Sequence, residues 1–154
     1  MKYTHTNLVA LDWRRLADFY IKVFGCTPVP PERDLSGEWL DKAAALHGAH
    51  IRGVHLRLPG HGDAGPTLEV FQYDEETEVE TPAPNRPGYG HIAFAVDDVE
   101  ATKEAVLAMG GGSVGEMVKV ELPGVGRLEF AYMRDSEGNI IEIQKLGLAS
   151  TSSS

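Results

Sequence analysis

The chain repeats itself, and the repeat limits what it can fold into. His5-Thr6-Asn7-Leu8-Val9-Ala10-Leu11-Asp12 is followed by a helical pattern that closes at Gly25. His91-Ile92-Ala93-Phe94-Ala95-Val96-Asp97-Asp98 is followed by another, closing at the glycines from Gly110. The offset, 91 − 5 = 86, also carries Asp12 onto Asp98 and Gly25 onto Gly111. Further on, Thr67–Gln72 matches Ile140–Lys145 at an offset of 142 − 69 = 73. The offsets differ by 86 − 73 = 13, so the first copy holds one short segment more. Gly37 to Gly48 (GEWLDKAAALHG) is Ala-rich and bounded by glycines, and is expected to be an inserted short helix. A repeat of this length means one supersecondary unit used twice.

Each copy reads as strand, helix and three strands. In the first, Thr4–Ala10 is a strand, and Asp12 is placed to cap a helix of about 12 residues. Trp13, Leu16, Tyr20, Val23 and Phe24 give that helix one apolar face. Strands are expected at Thr27–Pro30, Ala49–Leu58 and Thr67–Tyr73. In the second copy Tyr89–Val96 is a strand, Asp97 or Asp98 caps a helix striped by Val99, Thr102, Val106 and Met109, and Gly110–Gly112 ends it. Strands follow near Val114–Val120, Leu128–Arg134 and Asn139–Leu146, with a turn at Ser136–Asn139. The expected organisation is a first unit at 1–73, an acidic, Pro-rich linker at 74–87, a second unit at 88–146 and a disordered tail at 147–154.

Strand alternation selects the chemistry-bearing residues. Side chains alternate across a sheet with period two. Leu8 and Ala10, Leu68 and Val70, Ile92 and Phe94, and Ile141 and Ile143 suit burial under a helix. His5, Glu69, His91 and Glu142 then fall together on the opposite face, and a curled sheet would gather them in a cup. Asn7, Phe71, Tyr73 and Gln144 share that face and are expected to line a substrate space, with the loop 122–127 as a lid. Two imidazoles and two carboxylates are a ligand set for a divalent ion and leave positions for water or substrate. The set does not select among zinc, nickel, iron, cobalt and manganese, and one ion per site is expected. His47, His50, His55 and His61, in or beside the insertion, read as surface or structural residues.

Composition narrows the partners. A net charge of −9 disfavours nucleic acid and anionic membranes, both of which need a basic face. No apolar run approaches the roughly 18 residues of a membrane span. The single cysteine, Cys26, excludes an intrachain disulfide framework and fits a reducing compartment; with no signal-peptide layout, the expectation is cytoplasmic. The expected partner is a small-molecule substrate.

Three segments carry a resemblance: HTNLVALDWRRLADFYIKVFG from His5, GYGHIAFAVDDV at 88–99 and RDSEGNIIEI at 134–143. Paired βαβββ units with His, Glu, His, Glu ligands resemble the vicinal oxygen chelate superfamily, which holds glyoxalase I, methylmalonyl-CoA epimerase, extradiol dioxygenases, and fosfomycin- and bleomycin-resistance proteins. The resemblance implies an α+β fold of two tandem βαβββ units forming a curled, cup-shaped mixed sheet with helices outside, and a homodimer. Glyoxalase I-like members have the matching ligand set, and in them the position of Glu142 doubles as proton-transfer base. The reading that follows is a metal-dependent lyase or isomerase. The alternatives are an epimerase of the methylmalonyl-CoA type, an iron-dependent extradiol dioxygenase, which leaves Glu69 without metal duty, and a non-catalytic, ligand-sequestering resistance protein. Glyoxalase I has a basic residue four positions after the first ligand, where this chain has Val9, and Asn four after the second, where it has Tyr73.

Overall fold

The computed structural model describes residues 1–78 and 80–147. Its elements are β1 (His5–Val9), α1 (Trp13–Phe24), β2 (Thr27–Ser36), α2 (Glu38–Ala44), β3 (His50–Arg57), β4 (Thr67–Tyr73), β5 (Ile92–Ala95), α3 (Val99–Ala108), β6 (Gly112–Ser113), β7 (Val118–Leu122), β8 (Gly126–Arg134) and β9 (Ile140–Leu146). The fold is mixed α+β, in two compact units, Met1–Val79 and Glu80–Ser154, each with its own sheet. The first sheet has the order β1-β4-β3-β2, with β1 parallel to β4 and the other neighbours antiparallel. The second has the order β5-β9-β8, with β6 and β7 both paired to β8, and again only the β5–β9 pair is parallel. One topology is therefore used twice.

α1 and α3 start where their caps dictate. The Asp12 carboxylate accepts from the Arg15 N–H at 3.1 Å, and the Asp98 carboxylate accepts from the Ala101 N–H at 2.9 Å. These bonds satisfy amides that the first turn leaves without a helical partner. Gly25, at φ 68°, turns α1 off in the left-handed region and donates to Ile21 O. Leu16, Phe19 and Tyr20 of α1 are fully buried, as are Leu56 of β3 and Val70 of β4, the two strands the helix packs on. In the second unit Val106 of α3, Met133 of β8, and Ile141 and Ile143 of β9 are fully buried. Each such side chain contributes about 1.5–3 kcal/mol by leaving water. Burial of Leu68, Val70, Ile141 and Ile143 beneath the helices obliges the residues between them, Glu69 and Glu142, to face the other way.

The inserted segment forms α2, whose Leu40 packs with Ala49, Ile51 and Phe71, flanked by Leu35 and Tyr73. Asp41 ties down its exit by accepting from the amides of Gly48 (2.9 Å) and Ala49 (2.7 Å), which holds its carboxyl below the usual range. Gly53 faces Phe71 across the β3–β4 pair, and a Cβ there would lie 2.0 Å from Val70 O and 2.6 Å from the Phe71 ring. Only a residue without a side chain fits.

Three expected boundaries shift. β2 runs on to Ser36 rather than stopping at Pro30: a bulge between Val29 and Arg33 takes Pro30 and Pro31 out of the ladder, and pairing with β3 resumes at Arg33. The strand expected at Val114–Val120 divides into β6 and β7. β5 begins at Ile92, so His91 stands immediately before it. Of the expected disordered tail, 147–154, only Gly147 is among the described residues, and its N–H donates to Arg127 O. No helix among the described residues is long and apolar enough to cross a membrane.

Candidate metal centre

In the first unit the polar face of the sheet carries a compact donor group. His5 comes from β1, Glu69 from β4 and His55 from β3, three strands adjacent in the sheet. His55 Nε2 lies 3.0 Å from Glu69 Oε1, and His5 Nε2 lies 3.5 Å from Glu69 Oε2. The ligand atoms of the three residues all lie within 4.8 Å of one another. Asn7 Nδ2 donates to Glu69 Oε2 at 3.0 Å, so both carboxylate oxygens have partners. On its other side, His55 Nδ1 meets Thr67 Oγ1 at 3.0 Å. Burial pushes the His55 imidazole below its ordinary value; the Glu69 charge opposes this, and the charges of Arg33 and His5 add to it. A neutral imidazole is the form that binds metal.

The second unit repeats the arrangement with fewer donors. His91 Nε2 lies 2.9 Å from Glu142 Oε2. The residue across the strand pair from Glu142 is Tyr132, in the place that His55 takes across from Glu69. The Tyr132 ring packs against His91 with centroids 5.1 Å apart. In the parallel pair Ala93 faces Glu142 where Asn7 faces Glu69. Within each unit, then, the expected His–Glu pair is in contact.

The expected lining residues divide. Asn7 holds Glu69, as described. Phe71 is 7% exposed in the cluster under α2 and meets His55 edge-on at 5.8 Å; Tyr73 packs at the margin of that cluster. Gln144 is half-buried, in register with Ala95 and Phe130. His55, read from the sequence as surface or structural, is a sheet residue facing Glu69 and was not among the expected ligands. A parity reading of β3 could have found it, since Val54 and Leu56 bracket His55 as Leu68 and Val70 bracket Glu69. Cys26 is buried and its thiol is pushed up to about 11 by that burial, so it stays protonated and unreactive.

The donor chemistry fits a divalent ion. Two ligands bound at about 2.1 Å in tetrahedral or octahedral geometry stand about 3.0–3.4 Å apart, and the two imidazole–carboxylate separations in the first unit are 3.0 and 3.5 Å. The His/Glu group of the first unit could hold a metal.

Residues 2–143 match the family model described as Glyoxalase/Bleomycin resistance protein/Dioxygenase superfamily. The chain belongs to that superfamily. Among its relatives is the "Probable lactoylglutathione lyase" of Vibrio parahaemolyticus serotype O3:K6 (strain RIMD 2210633), 32% identical over 141 residues, which are 90% of this chain and 86% of that protein. CFP32 of Mycobacterium tuberculosis (strain CDC 1551 / Oshkosh), whose name carries the word glyoxylase, is 39% identical over 67 residues. That match covers 44% of this chain and 24% of CFP32, so the chain spans about a quarter of that relative's length. A glyoxalase family protein from Bacillus cereus has the same fold, with a TM-score of 0.74 at 20% identity over 96% of this chain and 94% of its own. The fosfomycin resistance protein FosX from Listeria monocytogenes, crystallised with Mn(II) and sulfate, superposes with a TM-score of 0.54 at 16% identity, covering 96% of this chain and 93% of that one.

Proposed function

We propose that this superfamily member is a divalent-metal-dependent lyase or isomerase of the glyoxalase type, acting on a small substrate with two vicinal oxygens. His5, Glu69, His91 and Glu142 are the proposed ligands, and Glu142 the proposed proton-transfer base. The observation that carries the division of labour is the unequal dressing of the two glutamates. Glu69 has one oxygen beside His55 Nε2 and the other bonded to Asn7 Nδ2, whereas among the described residues Glu142 is paired with His91 alone. A carboxylate held at both oxygens is a fixed anchor. One held at a single oxygen can swing toward a substrate C–H and take its proton. A bound ion would supply Lewis acidity, polarising two neighbouring substrate oxygens and stabilising the negative charge left by proton removal.

The chain's residues do the rest. His91 orients Glu142 through the 2.9 Å contact, and the Tyr132 ring limits where His91 can turn. Glu142, with its side chain 13% exposed, is largely shielded from water, which strengthens its electrostatic interaction with charge on a bound substrate. Val9, 54% exposed at the end of β1, offers no cation to a glutathione carboxylate, so the substrate is proposed to differ from that of glyoxalase I.

The test is hydrogen exchange at carbon. Protein loaded in turn with zinc, nickel, cobalt, manganese and iron is incubated in D2O with 2-hydroxy ketones and 2-hydroxy aldehydes and followed by NMR. Deuterium entering at the carbon next to the carbonyl, dependent on metal and on Glu142, is the expected result. Oxygen uptake without exchange, or binding with neither, would overturn the assignment.

A further inference from the structure

The first unit holds one more imidazole at its glutamate than the second, and we propose that His55 is a metal ligand. His5 Nε2, His55 Nε2 and the Glu69 carboxylate form a three-donor site for a divalent first-row ion within the first unit. This deepens the metal-dependent reading above and rests on it.

Three features of His55 favour ligation over a purely orienting role. The first is spacing: Nε2 stands 3.0 Å from Glu69 Oε1, the separation of neighbouring donors on one ion. The second is the far side of the ring, where Nδ1 lies 3.0 Å from Thr67 Oγ1. A metal-bound imidazole keeps a proton on its other nitrogen and donates it to a fixed acceptor. With Nδ1–H donating to Thr67, Nε2 presents a lone pair. The third is confinement. The His55 and Glu69 side chains are 19% and 16% exposed, and the edge of Phe71 meets the imidazole at 5.8 Å. Little rotamer freedom is left for an ion to take away.

The scaffold supports the geometry. The three donors sit on adjacent, hydrogen-bonded strands of one sheet, and Asn7 fixes the second oxygen of Glu69. Two imidazoles with one carboxylate select iron, cobalt, nickel or zinc over magnesium or calcium. Tyr132, the counterpart of His55 in the second unit, offers a phenol in place of the third donor, so the asymmetry is built into the sequence.

The protein and its His55→Ala, His55→Gln and His91→Ala variants are loaded with Co(II). Affinity and stoichiometry are measured together with the visible d–d spectrum, and far-UV circular dichroism reports folding. Gln keeps an N–H that can reach Glu69, so it preserves an orienting role and removes the imidazole ligand. The expected result is Co(II) binding weakened on the order of a hundred-fold or more in both His55 variants, beyond the usual range for an orienting partner, with an altered spectrum. If His55→Ala fails to fold, His55→Gln carries the test. Wild-type affinity and spectrum in His55→Gln would overturn the proposal. Loss of metal from His91→Ala beside that result would leave the four-ligand reading standing alone.

Discussion

His55 and Tyr132 occupy the same place in the two units: His55 lies across the strand pair from Glu69, and Tyr132 across from Glu142. The ladders are alike, yet an imidazole stands where its counterpart is a phenol. Among the described residues Glu69 is met by three side chains, His5, His55 and Asn7, and Glu142 by one, His91. A duplicated fold has been given two chemically different halves.

The first prediction follows from that difference. Glu142→Gln is expected to keep the fold and most of the bound metal while losing about 10²–10⁴ in kcat, the usual range for removing a general base. Glu69→Gln is expected to lose metal first. Turnover and metal content are measured on the same preparations. An inert Glu142→Gln substitution beside a metal-replete but dead Glu69→Gln would exchange the two roles.

Glyoxalase I activity is expected to be poor. Val9 stands where that enzyme has a cation, and an unpaired substrate carboxylate would meet a desolvation cost of a few kcal/mol. The hemithioacetal of methylglyoxal and glutathione, offered to nickel-, cobalt- and zinc-loaded protein, should be turned over slowly at best. A kcat/KM of about 10⁶ M⁻¹s⁻¹ or more, well within the range of efficient enzymes, would contradict this.

Stability should depend on pH through His50 and Asp74. His50 donates to Asp34 at 2.7 Å and to Asp74 at 2.6 Å, and those two carboxylates raise its value above 6.5, Asp34 most. Asp74 is held below 3.8, chiefly by its bond from His50, with Arg52 adding to it. A raised histidine stabilises fully below its unfolded value of about 6.5 and stops doing so as pH rises through its folded value. A lowered aspartate stabilises above its unfolded value of about 3.9 and stops as pH falls through its folded value. The pair therefore contributes most between those limits. The Tm difference between wild type and Asp74→Asn should be largest near pH 5 and smaller at pH 9, where the Arg52 contact remains. A difference that does not change with pH would contradict the linkage.

Much of the site was legible because it lies where patterns are clean. β4 and β9 bury strict alternations, Leu68 and Val70, and Ile141 and Ile143, so Glu69 and Glu142 were forced onto one face. The repeat offset then tied His5 to His91. β3 hid His55 because both of its faces carry apolar residues: Val54 and Leu56 lie under α1, while Ile51 lies under Leu40 of α2. The insertion turned part of the polar face into a second small core, so the alternation that marks His55 is confined to Val54, His55 and Leu56 and is too short to stand out. β2 was cut short for a different reason: Pro30 and Pro31 cannot donate to a ladder, and no local signal announces a bulge that passes them.

Gly53→Ala tests the packing of that second core. The added methyl would meet backbone at Val70 O and the Phe71 ring, both part of the sheet, so neither can yield cheaply. A loss of about 1–3 kcal/mol is expected, the cost of overpacking a close-packed site. It is read from urea unfolding with the m-value unchanged. Because Phe71 also meets His55 edge-on, metal affinity should fall as well. An unchanged midpoint would mean that the β3–β4 pair is looser here than the contacts require.

The central claim is that the two imidazole–carboxylate pairs bind a metal. The most direct measurement is elemental analysis of protein purified without chelator and then titrated with zinc, cobalt, nickel, manganese and iron. The expected result is saturation at one divalent ion per site in wild type and loss of that ion in Glu69→Gln. Wild-type protein that retains its circular dichroism and takes up none of the five would contradict the account.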